Sequence, residues 1–229
     1  MMRFISIILI LGLTNDFQVS KKMLTGRYPN PENLLQKEVQ EAFEIMKTEA
    51  AKDGIHLKIV SGYRSFKRQN QIWNYKYKKY AARGLAPGAI FDSITTYSAI
   101  PGTSRHHWGT EIDVIDGSKM YTGDAIIAPN FHGNGPFCKL KEWMEINSSR
   151  FGFELVYTLD NNRTGFDYEP WHYSYVPLSR KLYHNYLQKI ELTSFLKKRN
   201  INGIDKIDNQ QILRYLETHF KGINPKLKD

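Results

Sequence analysis

The chain has 229 residues, of which 41% are hydrophobic and 13% aromatic, which allows one sizeable core and excludes a disordered chain. Its net charge is +9, and residues 178–229 hold eleven Lys/Arg against five Asp/Glu. Such a surface favours polyanions, but no nucleic-acid-binding motif accompanies the charge, so nucleic acid is not an expected partner and lysine-rich, solvated helical faces account for it. The lone cysteine, Cys138, excludes an intrachain disulfide and a thiolate metal cluster, and a buried structural thiol is its expected role.

The N-terminus, Met1-Met2-Arg3 followed by the apolar run Phe4 to Leu13, has the form of a secretory signal. The run is too short to span a bilayer, so no transmembrane anchor is expected. Residues 1–20 are read as signal peptide and linker, with polar residues continuing to 24, and export to the periplasm or cell envelope follows. The competing reading is a buried first element in a cytoplasmic protein. Asn30-Pro31-Glu32 has the form of a helix start, and Leu35, Val39, Phe43 and Met46 recur at helical spacing up to Gly54. Ile55, Leu57 and Ile59 alternate as in a strand. Ser65 is placed to cap a helix over 66–82 whose core stripe includes Ile72, Trp73, Tyr77 and Tyr80. A short helix is expected near 90–98 and a short strand at 111–114. The loop 124–136, rich in Gly, Pro and Asn, is expected to border a cleft. A helix over 139–149 carries Leu140, Trp143, Met144 and Ile146; strands follow at 153–158 and 168–176, the second ended by Pro177. The helix 178–190 and two short helices, the last capped by Asp208, complete the chain. Helices and strands mix without strict βαβ alternation, so the fold class is α+β.

Two stretches carry the chemistry. In Ser104-Arg105-His106-His107-Trp108-Gly109-Thr110-Glu111-Ile112-Asp113, a histidine and an aspartate stand seven residues apart with Gly109 between them to let the chain bend. In Tyr168-Glu169-Pro170-Trp171-His172-Tyr173, a glutamate precedes a histidine by three, and Pro170 argues against a helix. His106, Asp113 and His172 supply two imidazoles and a carboxylate, the ligand set of a catalytic zinc with an open position. Glu169 is the spare acid that an activated water requires. Non-haem iron uses the same ligand types. His56, His132, His184 and His219 are read as structural, and His107 must point away from the metal if His106 points at it.

Ser104-x-His106-x-x-Gly109-x-x-x-Asp113 resembles the first signature of the LAS metallopeptidases, and Glu169-Pro170-Trp171-His172 their second, in the form found in VanY-type D-alanyl-D-alanine carboxypeptidases. Ser61-Gly62-Tyr63-Arg64-Ser65 with Gln69 resembles the family's substrate-binding segment. The resemblance covers roughly residues 24–190, leaving 191–229 as a helical extension. It implies a small, mainly antiparallel sheet flanked by helices (the Hedgehog/DD-peptidase fold), one Zn²⁺ on His106, Asp113 and His172, and a peptidoglycan stem peptide as substrate. It implies Glu169 as base and Arg64 both as an oxyanion stabiliser and, with Gln69 and Ser104, as a holder of the peptide. Tyr63 and Trp171 are expected as pocket walls. The sequence departs from the first signature at Glu111, where the family usually has alanine; strand alternation puts Glu111 on the face of Asp113, as an outer acid or a tuner of pocket charge. A related endopeptidase or dipeptidase, or a zinc-containing peptidoglycan-binding module without catalysis, are the alternatives. The sequence does not give the oligomeric state.

Overall fold

The computed structural model describes residues 19–27 and 35–229. The candidate signal run and the Asn30-Pro31-Glu32 helix start lie outside the described residues. Among the described residues, eight α-helices and four strands follow in chain order: α1 (Lys21–Leu24), α2 (Lys37–Lys52), β1 (Leu57–Ser61), α3 (Phe66–Ala81), α4 (Pro87–Thr95), β2 (Glu111–Asp116), α5 (Cys138–Asn147), β3 (Phe153–Leu155), β4 (His172–Tyr175), α6 (Val176–Lys189), α7 (Leu192–Lys197) and α8 (Asn209–Tyr215). The strands form one antiparallel sheet in the order β1-β2-β4-β3, which places the fold in the α+β class.

Register decides what each face of the sheet carries. Asp113 on β2 stands opposite His172 on β4 and opposite Ser61 on β1, while Glu111 stands opposite Ser174. Directly paired residues share a face, so Ser61, Asp113, His172, Glu111 and Ser174 line one side. Ile112, Val114 and Tyr173 point to the other. There they join Val39, Phe43 and Met46 of α2 and Leu140 and Met144 of α5 in one apolar cluster. A register shift between Ile59 and Ser61 bends β1 at its site end, a common use of a bulge beside a functional cleft.

A second cluster packs α3, α4 and α6 with the C-terminal residues. Trp73, Ile100, Trp108 and Tyr186 share it with Leu196, Ile212, Tyr215 and Phe220. The 191–229 segment is therefore seated against the loop that leads to His106. Tyr215 Oη lies 2.7 Å from Thr103 Oγ1 and accepts from the Ile100 amide at 3.2 Å.

Several local expectations hold. Ser65 accepts from the Arg68 amide at 3.2 Å and starts α3, and Asp208 accepts from the Gln211 amide at 2.7 Å and starts α8. Others need correction. Residues 19–24 are not all linker: α1 buries Met23 and Leu24, and the Leu24 carbonyl accepts from Trp108 Nε1 at 3.1 Å. A four-residue helix is too short to show a period. Ile146 is 77% exposed, because α5 buries the stripe Leu140, Trp143, Met144 and residue 146 falls on the opposite side. The strand expected over 168–176 shrinks to four residues: Pro170 has no N–H to donate, and the His172 amide donates to the Glu169 carbonyl at 3.1 Å in a turn. Pro177 lies in the first turn of α6, so it opens a helix rather than merely closing a strand.

Candidate metal centre and cleft

His106 comes from a 3-10 turn, Arg105–Trp108, that ends at Gly109. Gly109 has φ +68°, a left-handed conformation that L side chains rarely adopt, and its carbonyl accepts from the Gln36 amide at 3.0 Å. The chain thus turns sharply enough to send His106 and Asp113 to one point. His106 Nδ1 lies 2.8 Å from the Gly62 carbonyl, which leaves Nε2 facing Asp113 Oδ2 at 3.5 Å. His172 follows from the strand pairing, and its ring centroid is 4.7 Å from that of His106. One potential ligand atom from each of His106, Asp113 and His172 lies within 4.8 Å of the others, and all three residues are buried.

The donor set has unmet bonding of its own. Asp113 Oδ1 is buried and has no hydrogen-bond partner. A buried carboxylate oxygen without a donor is costly unless a cation meets it, so these residues fit a bound metal ion. Zinc suits two imidazoles and one carboxylate.

The surrounding charges follow from burial and partners. Burial acts to raise the Asp113 carboxyl, but His106, His172 and Arg64 prevail and hold it down at about 2. Glu111, fully buried, is likewise held at about 2: desolvation is outweighed by Arg105, His172 and Ser174. His172 is raised to about 10, because hydrogen bonds to Glu111 and Glu169 overcome desolvation. His106 is lowered, chiefly by desolvation. His107, pushed down to about 3 by burial, is neutral and structural: its Nδ1–H donates to the Arg64 carbonyl at 2.5 Å and its Nε2 accepts from the Gly102 amide at 3.0 Å.

These groups open onto a cavity of about 520 Å³. Arg64, Ser104, His106, Asp113, Glu169, Trp171 and His172 all line it, as do Asp124, Ile126, Ile127, Ala128 and Pro129 from the loop expected to border a cleft. Glu169 Oε2 lies 2.9 Å from His172 Nδ1. Arg64 donates to Ser61 Oγ at 2.9 Å and to Gln69 Oε1 at 3.1 Å, and its Nη2 stands 3.8 Å from Asp113 Oδ2. Gln69 and Tyr63 are not among the lining residues. Gln69 is buried and its amide donates to the Ala99 carbonyl at 2.7 Å, so it stands one layer behind Arg64.

The sequence reading missed Lys76, Ser98 and Tyr157 as cavity residues. Lys76 Nζ donates to Ser98 Oγ at 2.6 Å, and burial lowers its ammonium against the pull of Glu169. A signal existed: Gln69, Trp73 and Lys76 fall at i, i+4 and i+7 on α3 and share a face. Tyr157 packs edge-on to the His172 ring at 5.1 Å, and no motif marks it. Of the other histidines, His184 Nε2 meets the Lys228 carbonyl at 2.7 Å and His219 stacks on Tyr215, in keeping with structural roles.

Comparison with known proteins bears on this geometry. The family model for VanY, D-alanyl-D-alanine carboxypeptidase, matches residues 32–178. The chain belongs to this family. A D-alanyl-D-alanine carboxypeptidase of Enterococcus faecalis is 34% identical to it over 138 residues, which are 59% of this chain and 46% of the relative. The chain therefore spans about half the length of that curated relative. Two solved structures share the fold. VanYB in complex with D-alanine-D-alanine is 27% identical, with a TM-score of 0.51 over 72% of this chain and 84% of its own. A glutamate-to-alanine mutant of the vancomycin-resistance D,D-pentapeptidase VanY from a VanB-type cassette, in complex with Zn(II), is 28% identical, with a TM-score of 0.50 over 66% and 78% of the two chains.

Proposed function

We propose that this VanY-family chain is a zinc-dependent D-alanyl-D-alanine carboxypeptidase that removes the terminal D-alanine of peptidoglycan stem peptides. The observation that carries the reading is the buried His106, Asp113, His172 cluster with its unpartnered Asp113 oxygen, set beside an acid, Glu169, and a cation, Arg64, on one cavity. His106, Asp113 and His172 would hold the ion. A zinc ion there supplies Lewis acidity toward a water and a scissile carbonyl.

The chain's own residues do the rest. Glu169 Oε2 lies 2.9 Å from His172 Nδ1; were an ion held at that nitrogen in place of its proton, this hydrogen bond would be lost and the carboxylate would be free to take the proton of the attacking water. It returns that proton to the amine as the C–N bond breaks, so a free D-alanine and a shortened peptide leave. Arg64 presents a guanidinium to the peptide carboxylate or to the oxyanion that develops at the carbonyl. Gln69 and Ser61 hold it in place. Ser104 lines the same cavity as a hydrogen-bonding group for the peptide.

In this reading residues 24–190 form the catalytic unit, and 191–229 brace the loop that carries His106. The relatives named for D-alanyl-D-alanine chemistry support action at the envelope, and the apolar run 4–13 is the candidate signal for reaching it. No described helix is long and apolar enough to cross a membrane.

The test is release of D-alanine from a pentapeptide stem ending in D-Ala-D-Ala, with chelator and with zinc restored. Release that a chelator abolishes and zinc restores is expected. Glu169→Ala is expected to keep bound zinc and to lose a factor of about 10²–10⁴ in turnover. An intact substrate at full zinc loading overturns the proposal, and a released dipeptide moves the scissile bond.

A further inference from the structure

Glu111 and Asp113 share a face of β2, yet their oxygens have opposite fates. Asp113 keeps one oxygen with no partner. Glu111 has both oxygens engaged: Oε1 accepts from Ser174 Oγ at 2.7 Å and Thr110 Oγ1 at 3.0 Å and sits 3.2 Å from Arg105 Nη2, while Oε2 lies 3.1 Å from His172 Nε2. Glu111 is fully buried and is not among the residues lining the cavity, so its oxygens are turned to protein partners and away from the cleft.

The position of Glu111 explains its length. Its direct cross-strand partner is Ser174, and His172 lies two residues along β4, a diagonal neighbour on the same face. Diagonal pairs are roughly 7–8 Å apart, within reach of a glutamate and out of reach of an alanine. The His172 nitrogen that meets Glu111 is Nε2, and the one that faces Glu169 and the cavity is Nδ1. A carboxylate on the far nitrogen of a ligating imidazole fixes its tautomer and ring angle and raises its basicity.

Arg105 completes the unit. It is buried, donates to Ser174 Oγ at 2.9 Å, and stacks over the Trp108 ring at 4.7 Å. Its Nε and Nη1 are buried without a hydrogen-bond partner. This arginine is poorly satisfied except through Glu111, Ser174 and the ring, so its charge is matched to one counter-ion.

We propose that Glu111, neutralised by Arg105, is the positioning residue for His172: it holds Nε2–H and so presents the Nδ1 lone pair to the metal. The inference rests on the metal reading above and assigns a role where the family's usual alanine has none.

The test measures zinc affinity, by competition with a chromophoric chelator, for the full chain and for Glu111→Gln, Glu111→Ala and the double variant Glu111→Ala/Arg105→Met. Unfolding of each and the visible spectrum of the cobalt(II)-loaded forms are recorded alongside. Wild type binds zinc; Glu111→Gln and Glu111→Ala bind it about 10–100-fold more weakly. Their cobalt spectra shift, because the angle of His172 changes. In the double variant the unpaired buried charge is gone, so the midpoint of unfolding returns toward wild type while zinc affinity stays low. Equal zinc affinity in Glu111→Gln, or recovery of affinity with stability in the double variant, overturns the inference and leaves Glu111 as packing. A wild-type chain that takes up no zinc overturns the metal reading instead.

Discussion

The two histidines of the site are held in opposite ways. His106 rests on neutral backbone: its Nδ1 meets the Gly62 carbonyl, and the loop behind it is pinned by His107 and Tyr215. His172 is clamped between two carboxylates, Glu111 and Glu169, with Arg105 beneath. The same imidazole therefore titrates down at one place and up to about 10 at the other. Backbone carbonyls fix an angle at little electrostatic cost. A buried charge network fixes an angle too, but removing one member strands the others.

The largest expected effect breaks this contrast directly. His172→Ala and His106→Ala should both abolish tight zinc binding, yet in chelator-treated protein the first should cost more stability, about 3–5 kcal/mol, because Glu111 and Glu169 lose the cation between them. Urea unfolding of the two variants checks it, and equal losses would mean the charged side is no more demanding than the neutral one. Next in size is the acid limb. The His107 pKa is depressed from 6.5 to about 3, so the unfolded chain binds its proton more readily. Its contribution to stability is present above pH 6.5 and is lost as pH falls toward 3. Unfolding of His107→Gln followed across that window should show a shallower decline than wild type, at a lower starting stability. The smallest effect concerns the support behind Arg64. Gln69→Leu removes one acceptor from the guanidinium and should raise KM by about tenfold with little change in kcat, the size of one charged hydrogen bond. A kcat loss of the same size with KM unchanged would move Gln69's influence onto the transition state.

Much of the site was legible in order along the chain. His106, Asp113, Glu169 and His172 were found because metal chemistry restricts which residue types can sit together, and Gly109 because only a glycine turns so tightly there. Helices α2, α3 and α6 were legible because each buries a stripe long enough to show its period. The short elements were not: α1 has four residues, and the strand expected at 168–176 is cut by a turn at Pro170 whose partner is a backbone carbonyl. Lys76 was signalled only by its helical spacing from Gln69 on α3, and Tyr157 escaped because no spacing rule connects it to the candidate metal ligands.

By itself the sequence determined the chemistry available: the candidate ligand types, a spare acid, the arginine and an acid at 111 where a small residue is usual. Only the tertiary structure decided which groups meet. Antiparallel register sets Asp113 opposite His172 and Glu111 opposite Ser174, two residues along, so one carboxylate is left with a bare oxygen and the other has both oxygens engaged. Both read alike in sequence, as acids two residues apart on a strand. Their difference comes from long-range pairing with β4 and from an arginine, Arg105, that a 3-10 turn carries to Glu111 and Ser174.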